Sequence, residues 1–141
     1  MDPRFSRAYG ALAGLALGDA LGIPTQAMSP QQIRAVYGRV TGLVDADASQ
    51  PYAPGMAAGS VTDDTEQALL VASLLVRGRG LASGRVALDA GEFADALLAW
   101  EDSMIRRGSL DLLGPSTKAA LERVRAGEDP LAVGGEGTTN G

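Results

Sequence analysis

The residues best suited to chemistry lie in one stretch, GSVTDDTEQALL, at positions 59 to 70. Thr62, Asp63 and Asp64 are three consecutive side chains that carry hard oxygen donors. Crowded carboxylates repel, and a divalent cation relieves that repulsion. Hydroxyl and carboxylate oxygens suit Mg2+, Mn2+ and Ca2+. Successive residues of a regular helix point about 100° apart, so the three converge only if the chain is extended at Thr62 and turns into a helix at Asp63 or Asp64. The same residues also read as a helix start and nothing more. Asp63 at the cap with Glu66 three residues later has capping-box spacing. Asp64 in the first turn suits the positive end of the helix dipole. Three ligands are in any case too few for Mg2+ or Ca2+ without water and further carboxylates.

Composition narrows what else the chain can do. The 141 residues include no Cys and no His. That excludes disulfides, thiolate or imidazole zinc sites, Cys nucleophiles and a Ser-His-Asp triad on this chain. Any metal must be held by oxygen, and any acid or base must be a carboxylate, Tyr or Lys. The net charge is −5, and phosphate binding needs clustered Lys and Arg, so neither nucleic acid nor an anionic membrane is an expected partner. With 45% hydrophobic and 21% charged residues, the chain reads as soluble and globular. The apolar run from Ala8 to Gly18 is too short to span a bilayer. The N-terminus lacks signal-peptide regions, so the expected location is the cytoplasm.

The elements that must position these residues read as helices, and the expected class is all-α. Asp2-Pro3 looks like a cap followed by proline at the first helical position. GALAGLALGDALG, residues 10 to 22, then places Gly10, Gly14, Gly18 and Gly22 on one helical stripe. A groove without side chains lets a second backbone approach closely, so the stripe is expected to lie buried under a second helix; the alternative is a helix that frays at its glycines, each of which weakens it by about 1 kcal/mol relative to alanine. Ser29-Pro30 opens a helix that runs through Tyr37 to Gly38. Residues 39 to 60 show no sustained period and form a long loop, and such loops are often functional. A third helix is expected from near Thr62 to Gly78 or Gly80. A fourth is capped by Asp89, with Phe93, Leu97, Trp100 and Met104 as its stripe. A fifth follows Gly114-Pro115-Ser116, with Ala120, Leu121 and Val124 on its apolar side and Gly127 after it. The glycine-rich tail at 134 to 141 has no predicted element.

Taken in order, GALAGLALGDALG, PTQ, GSVTDDTEQALL and GTTNG resemble the N-terminal half of the ADP-ribosylglycohydrolase family, which includes dinitrogenase reductase-activating glycohydrolase. The likeness covers nearly the whole chain. GDALG and TDDT in that order are quite specific, whereas either alone is weak. The resemblance implies a compact all-α domain with two divalent cations, Mg2+ or Mn2+, that hydrolyses the bond at C1 of an ADP-ribosyl or related ribosyl group. It assigns Thr62, Asp63 and Asp64 as metal ligands, gives Asp63 and Asp64 the catalytic role, and places Asn140 and Gly141 at the start of a substrate loop. The implied partner is an ADP-ribosylated protein or a small ribosyl conjugate.

Two departures from the family pattern carry consequences. Many members have Glu at the position of Gln26, and an amide takes no proton as a general base. Gln26 is then a candidate substrate-binding residue, and Asp45 and Asp47 on the long loop are alternative acids or solvated loop charges. The family also continues beyond the Asn-Gly match to a Gly-x-Asp-x-Asp-Thr segment with the remaining metal ligands, and no such segment occurs in these 141 residues. The expectation is the N-terminal part of a single domain at 1–141, inactive alone, with the rest supplied by a C-terminal segment or a second chain. Two other readings stay open: a binding module without turnover, and a structural relative of the crystallin type.

Overall fold

Asp2 starts the first helix as its sequence suggests. Its carboxylate accepts the Arg4 amide at 2.8 Å, and Pro3 sits where no amide hydrogen is needed. The computed structural model describes residues 2–78, 88–108 and 114–134, and among these the chain is all-α with no strand. The helices are α1 (Pro3–Gly22), α2 (Pro30–Tyr37), α3 (Asp63–Arg77), α4 (Ala90–Arg107), α5 (Pro115–Arg125) and α6 (Pro130–Gly134), with a 3₁₀ turn at Ile23–Thr25. No helix among the described residues is long and apolar enough to cross a membrane. The chain divides into two compact units, Met1–Ala68 and Leu69–Gly141.

In the first unit, α2 is held by a reciprocal capping box. Ser29 Oγ accepts the Gln32 amide at 3.2 Å, and Gln32 Oε1 accepts the Ser29 amide at 2.7 Å. The helix stops at Gly38, whose φ of +65° suits a residue without a Cβ. The segment after it is irregular but tightly organised. Ala46 donates its amide to the Met56 carbonyl at 2.8 Å and accepts the Gly55 amide at 3.1 Å. Gln50 is only 2% exposed. Its Oε1 accepts the amides of Tyr52 and Ala53, and its Nε2 donates to the Ile23 carbonyl at 3.0 Å. Tyr37 adds a second tie, donating to the Pro24 carbonyl and accepting the Asp47 amide. One buried amide and one phenol thus do in this loop what a helix ladder does elsewhere.

In the second unit, Leu97 of α4 and Leu121 of α5 form the core, with Leu70, Phe93, Leu98 and Trp100 packed on them. Asp89 Oδ1 caps α4 by accepting the Glu92 amide at 2.8 Å. Arg125 reaches from α5 to Glu101 and Asp102 of α4 at 3.3 and 2.9 Å. α6 has no counterpart among the expected helices. Its start is Asp129-Pro130, with Asp129 Oδ1 accepting the Leu131 amide at 3.0 Å, the same signature that opens α1. Its Val133 is buried.

Two expectations need correction. Asp63 is the first residue of α3 rather than its cap. Thr62 caps instead: its carbonyl accepts the Glu66 amide at 3.2 Å and its Oγ1 accepts the Asp64 amide at 3.3 Å. The glycine stripe is also not packed under a helix. A Cβ added at Gly10, Gly14, Gly18 or Gly22 meets nothing within 4 Å, and Ala20 is the buried residue of α1. Within the first unit no helix closes on these glycines, so close packing is not the stripe's role there.

Gly14→Ala should therefore raise the stability of this chain by about 0.5–1 kcal/mol, since helix propensity improves and the methyl meets no atom. Gln50→Ala should lower it by about 2–3 kcal/mol by stranding buried amides and a carbonyl. Urea unfolding of the two variants against the parent chain measures both.

Candidate functional site

Asp19 projects from the last turns of α1, and its carboxylate accepts three hydrogen bonds from the start of α3. The Thr62 amide donates to Oδ2 at 2.7 Å and the Thr62 hydroxyl to Oδ1 at 2.9 Å. The Thr65 hydroxyl donates to Oδ2 at 2.6 Å. Thr62 and Thr65 are both buried. An ionised carboxylate only accepts, so both hydroxyls must point their hydrogens at Asp19. This contact ties residues 43 apart in sequence and sets the direction in which α3 leaves the loop.

Beside this contact lies a cavity of about 540 Å³ within the first unit. Gly14, Gly18 and Gly22 form its glycine floor, and Asp19, Gln26, Thr62 and Asp64 bring polar atoms to it. The stripe that meets no helix thus borders open space that a ligand can enter. Thr62 and Asp64, two of the three residues singled out as metal ligands, reach the same cavity as Gln26. Asp63 does not line it; its Oδ2 accepts from Gln67 Nε2 at 3.2 Å. Asn140 and Gly141 lie outside the described residues.

The charges of this site work against one another. Burial, and next the neighbouring Asp64 charge, hold the Asp63 carboxyl above its ordinary pKa, and Asp19 adds a smaller push in the same direction. The donor set is hydroxyl and carboxylate oxygen, which fits a hard divalent cation in type. It is incomplete in number, because no group of three or more acidic side chains poised to hold a metal occurs among the described residues. Asp45 and Asp47 do not join the site. Asp45 Oδ1 accepts the Ala58 amide at 2.8 Å, and Asp47 Oδ1 accepts the amide and hydroxyl of Ser49 at 2.9 and 2.6 Å. The Ser49 hydroxyl is the main cause that lowers the Asp47 pKa, which is the wrong direction for a general acid at neutral pH.

The linkage between Asp63 and stability has a definite sign. A carboxyl whose pKa is raised by folding destabilises the folded state when ionised. That penalty is absent below the unfolded pKa and grows as pH rises through the higher folded value. In chelator-treated protein, Asp63→Asn should therefore raise Tm by a few degrees at neutral pH. The gain should vanish below about pH 4, the ordinary Asp range. Thermal melts across that pH range check it.

The chain is 30% identical over 139 residues to the uncharacterized protein YegU of Escherichia coli strain K12, covering 96% of this chain and 38% of that protein. It is 33% identical over 117 residues to an uncharacterized protein of Archaeoglobus fulgidus, covering 82% of this chain and 33% of that protein. The chain thus spans about a third of the length of these curated relatives. No solved structure matches it. The family model described as ADP-ribosylglycohydrolase matches residues 1–141, and the chain accordingly belongs to the ADP-ribosylglycohydrolase family.

Proposed function

We propose that this chain contributes one wall of a metal-dependent site that hydrolyses an ADP-ribosyl, or related ribosyl, glycosidic bond. Membership of a glycohydrolase family supports the reaction class. The observation that carries the proposal is the cavity itself, where Thr62, Asp64 and Gln26 meet over a floor of glycines. Thr62 and Asp64 at the cavity are the residues that would hold Mg2+ or Mn2+, with Asp63 joining only by turning from Gln67 and further ligands from outside these 141 residues. Bound divalent cations supply Lewis-acid polarisation and a water held for attack. The chain's own residues do the rest. Asp64 sets negative charge beside the cavity, where it stabilises positive charge developing at C1 of the ribose. Gln26 offers both a donor and an acceptor to a sugar hydroxyl. The glycine floor admits a sugar ring close to the α1 backbone.

A second reading has one specific observation in its favour. Gln26 lines the cavity as an amide, where many family members carry Glu, so binding without turnover is the competing function. The test is release of free ADP-ribose from an ADP-ribosylated peptide by the intact protein with Mn2+. Asp64→Asn should lower the rate by about 100-fold or more, in line with the several kcal/mol a metal contributes. Gln26→Glu should leave a measurable rate. No release by the parent protein, with tight ADP-ribose binding and turnover gained in Gln26→Glu, would select the binding module instead. Turnover unaffected by chelator would sink the metal-dependent reading.

A further inference from the structure

We infer that Asp19 is a positioning residue, which takes the Thr62 hydroxyl hydrogen so that the oxygen's remaining lone pair is left for a cation. This rests on the metal-dependent reading of the site. The Thr62 hydroxyl has one hydrogen and two lone pairs. Its hydrogen goes to Asp19 Oδ1 at 2.9 Å, and one lone pair accepts the Asp64 amide at 3.3 Å. The second lone pair has no partner in these bonds, and Thr62 borders the cavity. With Oδ2, Asp19 also holds the Thr62 amide and the Thr65 hydroxyl, so the backbone at the cap cannot rotate freely. A carboxylate behind a ligating group both orients it and strengthens it as a donor.

Asp19→Asn separates this role from simple bracing. The asparagine oxygen can replace Oδ2 and keep the Thr62 amide and the Thr65 hydroxyl. Its NH2 then replaces Oδ1 and donates to the Thr62 oxygen. The hydrogen bond reverses, the lone pair is consumed, and the hydroxyl hydrogen turns away from residue 19.

The experiment titrates Mn2+ alone into the intact protein by calorimetry, with folding checked by circular dichroism. Asp19→Asn should weaken Mn2+ binding by about 10–100-fold. In a Thr62→Val background the same change should have no further effect. Thr65→Val, which removes only a bracing contact, should lower Tm and leave Mn2+ affinity unchanged. Parent-like affinity in Asp19→Asn, or an equal loss with Thr62→Val already present, overturns the inference and spares the metal reading. Absence of Mn2+ binding by the parent protein overturns the metal reading and the inference with it. Neutron diffraction of the unsubstituted protein gives an answer even if Asp19→Asn fails to fold. A deuteron between Thr62 Oγ1 and Asp19 Oδ1 supports the assignment, and one pointing into the cavity overturns it.

Discussion

A single carboxylate, Asp19, organises the first unit of this chain. Three donors from the start of α3 converge on it, two of them hydroxyls and one the Thr62 amide. A half-buried carboxylate is tolerable only when such donors replace the water it has lost. The residue sits on α1 between the glycines that border the cavity. The contact therefore joins two things that sequence places far apart, the glycine floor and the cluster at Thr62 to Asp64.

The loop from 39 to 60 provides a second kind of order. It has no periodic apolar pattern, yet Ala46, Gln50 and Ala53 are all buried. Its organisation rests on polar groups that satisfy backbone amides and carbonyls. Gln50 reaches the Ile23 carbonyl, and Tyr37 reaches the Pro24 carbonyl, so the turn after α1 is clamped from both the loop and α2. That turn presents Gln26. Asp45 and Asp47 belong to the same bracing system, each accepting a backbone amide within the loop.

The cluster at Thr62 to Asp64 shows the tension usual at functional sites. Partial burial, and next the Asp64 charge, raise the Asp63 pKa, so its ionised carboxylate costs stability where it stands. Helix capping alone does not require this arrangement. Thr62 already caps α3, and Asp64 contributes its backbone amide rather than its carboxylate to that cap. The Asp63 carboxylate instead accepts from Gln67 one turn along α3.

Much of the helical frame was legible because its signals are local. Asp-Pro and Ser-Pro starts, the Asp89 cap, Gly38 and Gly78 as stops, and the Phe93–Leu97–Trp100 stripe each depend on residues within one or two turns. The same kind of signal was present and overlooked at Asp129-Pro130. TDDT was legible as a hard-oxygen cluster from residue types alone. What sequence could not decide was who faces whom. The glycine spacing is equally consistent with a helix packed on that face and with open space, and only the tertiary structure selects the cavity. The partners of Asp19 and Gln50 are of the same kind. The roles of both residues come from partners as many as 46 residues away, and hydrogen bonds over that distance leave no period for a sequence to carry.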